Sequence, residues 1–227
     1  MDRVIDIIYN NSLLFNNMSK DEISGVLSCS SAIIKKYQKG EIIFAQGDET
    51  KFITVLLNGS VVIVNDTLDG NRRIINMFNK AGDIFGEVFL FCGDRVYENS
   101  AYTQADSEVL CMPKQFLYSA CGKSCVHHNQ ITANMLSILA NKAYFLNQRI
   151  QILSCTSLRQ KLVKIIFKYN KNGVSKIPFG REQLAEFLGS TRPSVSRELM
   201  NMQNDGLIKV DKKQIRILDF QKLNDII

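Results

Sequence analysis

A group of side chains that bind soft metals stands near the middle of the chain. The stretch CGKSCVHH, residues 121–128, spaces them as Cys-x3-Cys-x2-His, and Cys111 ends a predicted strand shortly before it. Thiolates and imidazoles suit zinc or an iron–sulfur cluster, and three thiolates with one imidazole complete a four-coordinate site. The sequence therefore predicts a bound metal ion or cluster with the ligands Cys111, Cys121, Cys125 and His128.

Two other interpretations of these cysteines stay open. The thiols can carry redox or nitric-oxide chemistry, or they can be small apolar side chains of a core, with the two histidines in water at a helix start. The chain has six cysteines without a regular framework spacing, so we expect reduced thiols rather than structural disulfides.

A second set of chemically equipped residues lies near the C-terminus. The stretch AEFLGSTRPSVSREL, residues 185–199, reads as a helix, a turn at Gly189 and a second helix. Pro193 falls in the first turn of that second helix, where the missing N–H has no intrahelical partner to lose and the ring presets φ. Arginine contacts guanine O6 and N7 together, and hydroxyl side chains contact bases or phosphates. The predicted DNA-contacting residues are Thr191, Arg192, Ser194, Ser196 and Arg197.

The segment after this pair of helices carries positive charge. GLIKVDKKQIRILD alternates as a β-hairpin, with Lys209, Lys212, Lys213 and Arg216 along it, and such a wing is suited to phosphate contacts. From Thr156 onward 14 Lys/Arg stand against 7 Asp/Glu, a balance of +7, so the preceding 155 residues carry −1 of the total of +6. Double-stranded DNA is the expected partner. The alternatives are a basic surface without a partner and a helix-turn-helix that serves only packing.

The first half of the chain has the pattern of an antiparallel β-domain. Residues 33–112 contain short apolar runs separated by turn signals, which is typical of a sandwich or barrel. Asp69-Gly70 is the strongest hairpin signal. Glycines are expected at turns with positive φ at positions 40, 47, 59, 70 and 82.

A long helix is predicted next, because residues 126–153 contain neither Gly nor Pro and repeat apolar residues at helical spacing. One stripe follows a 4-3-4-3 heptad and is suited to pairing with a twin helix; it consists of Thr132, Leu136, Leu139, Ala143, Leu146, Ile150 and Leu153. A second stripe is expected to cover the chain's own β-domain; it consists of Ile131, Met135, Ile138, Phe145 and Ile152. Two apolar faces indicate two partners and hence a homodimer. The alternative is a single broad core face within a monomer.

These patterns predict an α+β protein in three parts. Residues 1–125 form a β-roll (jelly-roll) effector or sensor domain, residues 126–154 a dimerisation helix, and residues 155–227 a winged helix-turn-helix domain. Ser154-Cys155-Thr156 interrupts the helical periodicity, and Ser or Thr is available there to cap the next helix.

The chain as a whole resembles the Crp/Fnr family of bacterial transcription regulators. The resemblance rests on KGEIIFAQGD, LLNGSVVIV, GDIFGEVFLF and, most specifically, GREQLAEFLGSTRPSVSRELMNMQNDGLIKV. It implies a homodimer with a small effector or a cofactor in a cyclic-nucleotide-type β-roll, two recognition helices on a palindromic promoter site, and RNA polymerase as a further partner. Residues 131–153 would form a helix of about 34 Å, which is comparable to the ~34 Å between half-sites.

The predicted effector site departs from the cyclic-AMP pattern. Gly86 and Glu87 match the turn whose glutamate holds the ribose, but Tyr97 stands where cyclic-AMP-binding members place the arginine for the phosphate. A buried cyclic phosphate would lack its charged donors. Arg95 is a potential substitute. We expect an effector other than cyclic AMP at Gly86, Glu87 and Tyr97, or a turn that is only inherited.

Two further departures concern DNA and metal. Pro193 replaces a glutamate of the family that accepts a hydrogen bond from cytosine, whereas Arg192 and Arg197 match base-reading arginines, so the target sequence must differ. The Fnr branch holds an iron–sulfur cluster with an N-terminal group of cysteines. The first thirty residues here offer only Cys29, so that pattern does not transfer.

The function predicted from the sequence is that of an effector-controlled DNA-binding regulator. The alternative is a small-molecule, metal or redox sensor that signals through protein contacts. No enzyme is expected, because the sequence has no P-loop or recognisable nucleophile motif. The longest strongly apolar stretch, residues 52–64, is too short and too interrupted to span a membrane, and no secretory signal is recognisable, so the cytoplasm is the expected compartment.

Overall fold

The chain folds into two compact units, Met1–Ala140 and Asn141–Ile227. The computed structural model describes residues 1–66, 72–92, 96–118, 126–211 and 214–227. No helix within these ranges is both long enough and apolar enough to cross a membrane.

The N-terminal unit begins with short helices that cover a β-domain. Helix α1 spans Asp2–Asn11, a 3-10 turn spans Leu13–Phe15, and helix α2 spans Lys20–Cys29. Ser19 and Glu22 form a reciprocal capping box that fixes the start of α2.

The β-domain consists of two antiparallel four-stranded sheets. The first sheet has the order β1-β8-β3-β6 and the second the order β2-β7-β4-β5. The strands are β1 (Ile33–Tyr37), β2 (Ile42–Phe44), β3 (Phe52–Asn58), β4 (Val61–Asp66), β5 (Arg72–Phe78), β6 (Ile84–Phe85), β7 (Ser100–Thr103) and β8 (Ser107–Pro113). Helix α3 (Glu87–Phe91) follows β6, and helix α4 (Gln115–Tyr118) follows β8.

The central strands β3 and β8 of the first sheet are buried on both faces, and their alternate residues point to opposite sides. On β3, Ile53 and Val55 join the core formed with the helices, while Leu56 joins the core that also holds residues of the second sheet. On β8, Met112 belongs to the core formed with the helices, and Cys111 belongs to the core shared with the second sheet. The interior of the β-domain is therefore lined by one row of side chains from each sheet.

Glycine occupies the tight turns as predicted. Gly40, Gly47, Gly59 and Gly82 all have positive φ, between 88° and 98°. Gly70, and with it the predicted Asp69-Gly70 hairpin turn, lies outside the described residues.

Helix α5 spans Val126–Leu153, as predicted from the helical periodicity. Its second stripe covers the N-terminal unit only in its first half, where Ile131, Met135 and Ile138 are buried in that core. The expectation for the second half is wrong. Ile152 is buried in the core of the C-terminal unit, and Phe145 packs against Phe187 with ring centroids 5.8 Å apart, because this part of α5 follows the C-terminal fold.

The C-terminal unit is a winged helix-turn-helix. Its elements are α6 (Leu158–Lys168), β9 (Asn170–Lys171), β10 (Val174–Lys176), α7 (Arg181–Phe187), α8 (Arg192–Asn204), β11 (Ile208–Asp211), β12 (Gln214–Ile217) and α9 (Phe220–Asn224). The strands form one antiparallel sheet in the order β11-β12-β10-β9. Ser157 caps α6 through a capping box with Gln160. The predicted α+β class, with a β-domain, a long helix and a helix-turn-helix, is confirmed, while the limits of the three functional parts stay predictions.

Two glycines with similar backbone angles provide a test of the turns. A Cβ on Gly59 would lie 2.6 Å from the carbonyl oxygen of Asp106, whereas a Cβ on Gly40 would meet nothing within 4 Å. We expect Gly40→Ala to lower the free energy of unfolding by about 1 kcal/mol from positive φ alone, and Gly59→Ala by about 3 kcal/mol, because it adds a backbone clash. Urea denaturation of both variants measures this, and equal losses would contradict it.

Candidate nucleic-acid interface and effector cavity

Helix α8 begins at a side-chain cap. Thr191 Oγ1 accepts a hydrogen bond from the Ser194 amide at 3.4 Å and lies 2.9 Å from the Ser194 hydroxyl. Pro193 is the second residue of the helix, where no backbone donor is needed. The proline therefore fixes the start of α8, as the sequence predicts.

The turn between α7 and α8 is closed by glycine and by apolar contacts. Gly189 has φ +62°, and the Ser190 amide donates to the Ala185 carbonyl at 2.9 Å. Leu188 of the turn and Val195 of α8 are fully buried in the core of this unit. The angle of α8 is thus set by packing.

The outer face of α8 presents cationic and apolar side chains. Thr191, Arg192 and Arg197 are exposed, whereas Ser194 and Ser196 are half-buried. Met200 is 62% exposed although it is a large apolar residue. It lies three positions after Arg197 and so on the same helix face, which is the signal that could have identified it from sequence. An apolar side chain there is suited to the methyl group of thymine.

The two arginines differ in their surroundings. Arg192 Nη1 lies 3.7 Å from Glu182 Oε2, and both side chains are well exposed, so this ion pair is weak and readily exchanged. Arg197 has no ion-pair partner among the residues that the structure describes. Its guanidinium is available for a ligand of opposite charge or for a base edge.

Arg159 of helix α6 forms ion pairs with an acidic residue of α8 and with one just after its end. Its Nε atom donates to Glu198 Oε1 at 2.5 Å, and its Nη1 atom lies 2.8 Å from Asp205 Oδ2. The hydrogen bond to Glu198 raises the pKa of Arg159. Asn201 donates to the other oxygen of Glu198 at 3.4 Å. The two contacts of Arg159, here called the Arg159 clamp, join α6 to the middle and the end of α8. They also neutralise an acidic residue on the helix that is predicted to approach phosphates.

The wing adds positive charge beside the helix-turn-helix. Lys209 and Arg216 are directly paired across β11 and β12, and both are exposed. Lys212 and Lys213, the other predicted wing cations, lie outside the described part of the chain. The pair at Lys209 and Arg216 stays a predicted phosphate contact.

The β-domain has a cavity of about 220 Å³ that is open to solvent on one side. Its walls include the aromatic residues Tyr37, Phe44, Phe52 and Tyr97. Tyr97 stacks on Phe44 with centroids 3.7 Å apart and an interplanar angle of 9°. Charges of both signs complete the lining, at Lys35, Lys51, Asp48 and Glu49. The cavity is therefore suited to a small, largely apolar guest with a polar end.

The predicted effector turn lies against these rings. Gly86 has φ +76° and precedes α3, and Glu87 is only 2% exposed. A Cβ on Gly86 would lie 3.0 Å from the Phe44 ring and 3.2 Å from the Tyr97 ring. The stacked pair thus fills the space next to the turn, and only glycine fits without displacement.

Tyr97 does not supply the positive charge that a cyclic phosphate would require in this turn. Tyr97 is 4% exposed, and burial raises the pKa of its phenol, so the ring stays neutral. A neutral ring stacked on Phe44 cannot replace the guanidinium that would balance a buried phosphate. Arg95, the potential substitute, lies outside the described residues. Gly86, Glu87 and Tyr97 stay predicted effector residues.

Two members of the predicted metal set, Cys111 and His128, belong to the described residues, and they line different cavities. Cys111 is 2% exposed and lines the aromatic cavity, where burial raises the pKa of its thiol to about 11. His128 lines a different cavity. Cys121 and Cys125 fall outside the ranges described above, and within those ranges no three Cys, His, Asp or Glu side chains are grouped to hold a metal ion. The four-residue set stays a prediction.

Comparison with known proteins identifies both halves of the chain. Residues 34–124 match the cyclic nucleotide-binding domain family, and residues 158–226 match the Crp-like helix-turn-helix domain family. The chain belongs to the Crp/Fnr family of transcription regulators. Like other Crp/Fnr-type proteins it is a DNA-binding transcription regulator with an N-terminal domain of the effector-binding type.

Individual Crp/Fnr relatives agree along most of their length. Electron transport regulator A of Shewanella oneidensis is 28% identical over 200 residues, which cover 84% of this chain and 76% of that protein. The fumarate and nitrate reduction regulatory protein of Vibrio cholerae is 24% identical over 202 residues, covering 85% and 77%. The crystal structure of the Thermus thermophilus catabolite activator protein has the same fold, with a TM-score of 0.53 and 21% identity over 95% of this chain and 98% of that one.

The electrostatic role of the Arg159 clamp can be tested by mutation in this Crp/Fnr regulator. We expect Arg159→Ala to weaken binding to any DNA duplex roughly tenfold, because Glu198 is then an uncompensated negative charge near phosphates. The double variant Arg159→Ala with Glu198→Gln should recover most of this affinity, since the repelling charge is gone. Fluorescence anisotropy with a labelled duplex measures both. If the double variant binds no better than the single one, the electrostatic role of Arg159 is wrong.

Proposed function

We propose that this regulator acts as a homodimer that reads a palindromic promoter site under the control of an effector bound in its β-domain. The observation that carries the proposal is the capped start of α8, where Arg192 and Arg197 stand exposed on a helix that the turn packs firmly against α7. Recognition helices of this kind place the side chains of their first turns on base edges in the major groove.

Each predicted contact residue has a proposed role in DNA binding. Arg197 reads a guanine through its available guanidinium, and Arg192 exchanges Glu182 for a phosphate or base edge. Thr191 and Ser194 hold the helix start through their mutual hydrogen bond, and the hydroxyl that accepts in this bond donates its own proton to a phosphate. Ser196 is half-buried, so its hydroxyl contacts only a DNA group that comes close to the surface of α8. Pro193 and Met200 add apolar contacts that favour thymine over cytosine at neighbouring positions.

The dimer is proposed to form along the heptad stripe of α5. Leu136, Leu146 and Ile150 are 64%, 55% and 63% exposed, which is unusual for three large apolar residues at coiled-coil spacing. Leu139 is partly buried against the N-terminal core, so the stripe is not uniformly exposed. A second copy of the chain would bury all of these side chains at once.

The signal is proposed to be a small molecule or a cofactor, other than cyclic AMP, bound in the N-terminal unit. The aromatic cavity and the turn at Gly86 and Glu87 support a site for a small effector next to Tyr97. The metal ligands predicted from sequence support a bound metal ion or iron–sulfur cluster as the alternative signal. RNA polymerase is the further partner that promoter binding implies.

The base-reading role of Arg197 is tested with the DNA site that the purified protein selects from a pool of random duplexes. We expect Arg197→Ala to bind this duplex roughly 10- to 100-fold more weakly while its affinity for a scrambled duplex changes little, because a base contact is lost. Arg216→Ala is the control, since loss of a phosphate contact should weaken both duplexes equally and reduce the salt dependence.

Gel-shift titrations at several salt concentrations separate these outcomes. A variant lacking Arg197 that keeps the full preference for the selected duplex would refute the assignment. Salt-insensitive binding of the parent protein would refute the phosphate contacts.

The dimer interface has a matched pair of variants on one helix. Ile150 and Tyr144 are both 63% exposed, but only Ile150 belongs to the heptad stripe. We expect Ile150→Asp to give monomers, because a carboxylate would be buried in the coiled-coil seam, whereas Tyr144→Asp should remain dimeric. Sedimentation equilibrium measures the mass of each. A parent protein that is monomeric at all concentrations, with and without DNA, contradicts the proposal.

A further inference from the structure

A second cavity of the N-terminal unit, of about 340 Å³, has both a cysteine and a histidine in its lining. It lies between the end of α2, the segment from β8 to α4 and the first turn of α5. Cys29, the last residue of α2, and His128 of α5 both line it, and Pro113 and Phe116 make much of the remaining wall apolar. Residues 29 and 128 are almost one hundred positions apart, so only the fold places them in one cavity.

His128 is the unusual group in this cavity. It is 9% exposed, and its Nδ1 atom is buried without a hydrogen-bond partner in the described structure. The Phe116 ring packs on the imidazole with centroids 4.4 Å apart, which restricts the orientation of the ring. Leaving a buried polar atom unsatisfied is unfavourable by about 1–3 kcal/mol, and such atoms nearly always have a partner. A ligand for His128 is therefore expected in or beside this cavity.

The adjacent histidine provides a contrast. The Nδ1 atom of His127 also lacks a hydrogen bond, but it faces the Glu22 carboxylate at 3.4 Å and its side chain is 32% exposed. His127 thus has a charged neighbour and access to water. His128 has an aromatic ring and a thiol-lined cavity instead, which is an environment for a soft ligand and not for an ion pair.

We propose that Cys29 and His128 are ligands of a soft divalent metal ion of the zinc class. A thiolate and an imidazole are the ligand pair that such ions prefer. In this assignment Cys29 takes the place that sequence spacing gave to Cys111, whose thiol lines the aromatic cavity. Water or further side chains complete the coordination.

The position of this site gives it a regulatory consequence. A metal ion there would join the end of α2 to the first turn of α5, the helix that carries the exposed heptad stripe. Gain or loss of the ion would therefore change how firmly the start of α5 is held. The assignment of the ligands is independent of DNA binding, because metal content is measured without DNA.

The experiment titrates the metal-free full-length protein with Zn²⁺ and, separately, with Co²⁺, whose thiolate charge-transfer absorption reports sulfur ligation. We expect one ion per chain in the parent, and at least tenfold weaker binding in Cys29→Ser and in His128→Gln. Cys92→Ser and His127→Gln are the matched controls, an exposed cysteine elsewhere in the unit and the neighbouring histidine, and both should bind as the parent does.

A second measurement needs no variant. Bound Zn²⁺ should protect Cys29 of the parent from alkylation, as read by mass spectrometry of its peptide, while Cys92 stays reactive. The inference is overturned if the parent binds no metal, if Cys29 is alkylated equally with and without Zn²⁺, or if sulfur ligation is lost with Cys111→Ser and not with Cys29→Ser. DNA binding is measured on the same samples, so that a failure of metal binding can be distinguished from a failure of the proposed DNA-binding function.

Discussion

The burial of one long helix is the constraint on which the rest of this protein depends. Helix α5 contributes Ile131, Met135 and Ile138 to one core and Ile152 to another, yet it leaves Leu146 and Ile150 in water. Apolar side chains in a continuous row are stable in solution when another surface covers them. A dimer would satisfy this requirement, and the proposed palindromic site and the proposed signal through α5 both follow from such a dimer.

Local sequence preferences and contacts between distant residues both determine the structure of the DNA-reading unit. The Thr191 cap and Pro193 determine where α8 begins, and the buried residues of the turn determine its angle. The charge on α8 is then decided from outside the helix, because Arg159 neutralises Glu198 and Asp205. The exposed side of α8 includes Arg197 and Met200 on one face. That surface differs from one built to accept a hydrogen bond from cytosine, and the difference lies in Pro193.

The β-domain belongs to the cyclic nucleotide-binding domain family, and aromatic rings fill the space beside its turn at Gly86. Where a phosphate would require a guanidinium, the Tyr97 ring stacks on Phe44, and Gly86 is needed because both rings are close. The neutral thiol of Cys111 adds to this apolar interior. Sensing is accordingly proposed at two places, the aromatic cavity and the cavity shared by Cys29 and His128, which differ in the ligand chemistry that they favour.

The sequence by itself determined the features that depend on neighbouring residues. These features are the helical period from 126 to 153, the glycine turns, the caps of α6 and α8, and the position of Pro193, which all follow from local backbone and side-chain preferences. The excess of positive charge follows from composition alone. Only the tertiary structure decided which distant side chains meet. Cys29 lines one cavity with His128 while Cys111 lines another, the second stripe of α5 is divided between two cores, and Arg159 contacts Glu198, 39 positions away. Such pairs depend on packing between elements, which spacing along the chain does not encode.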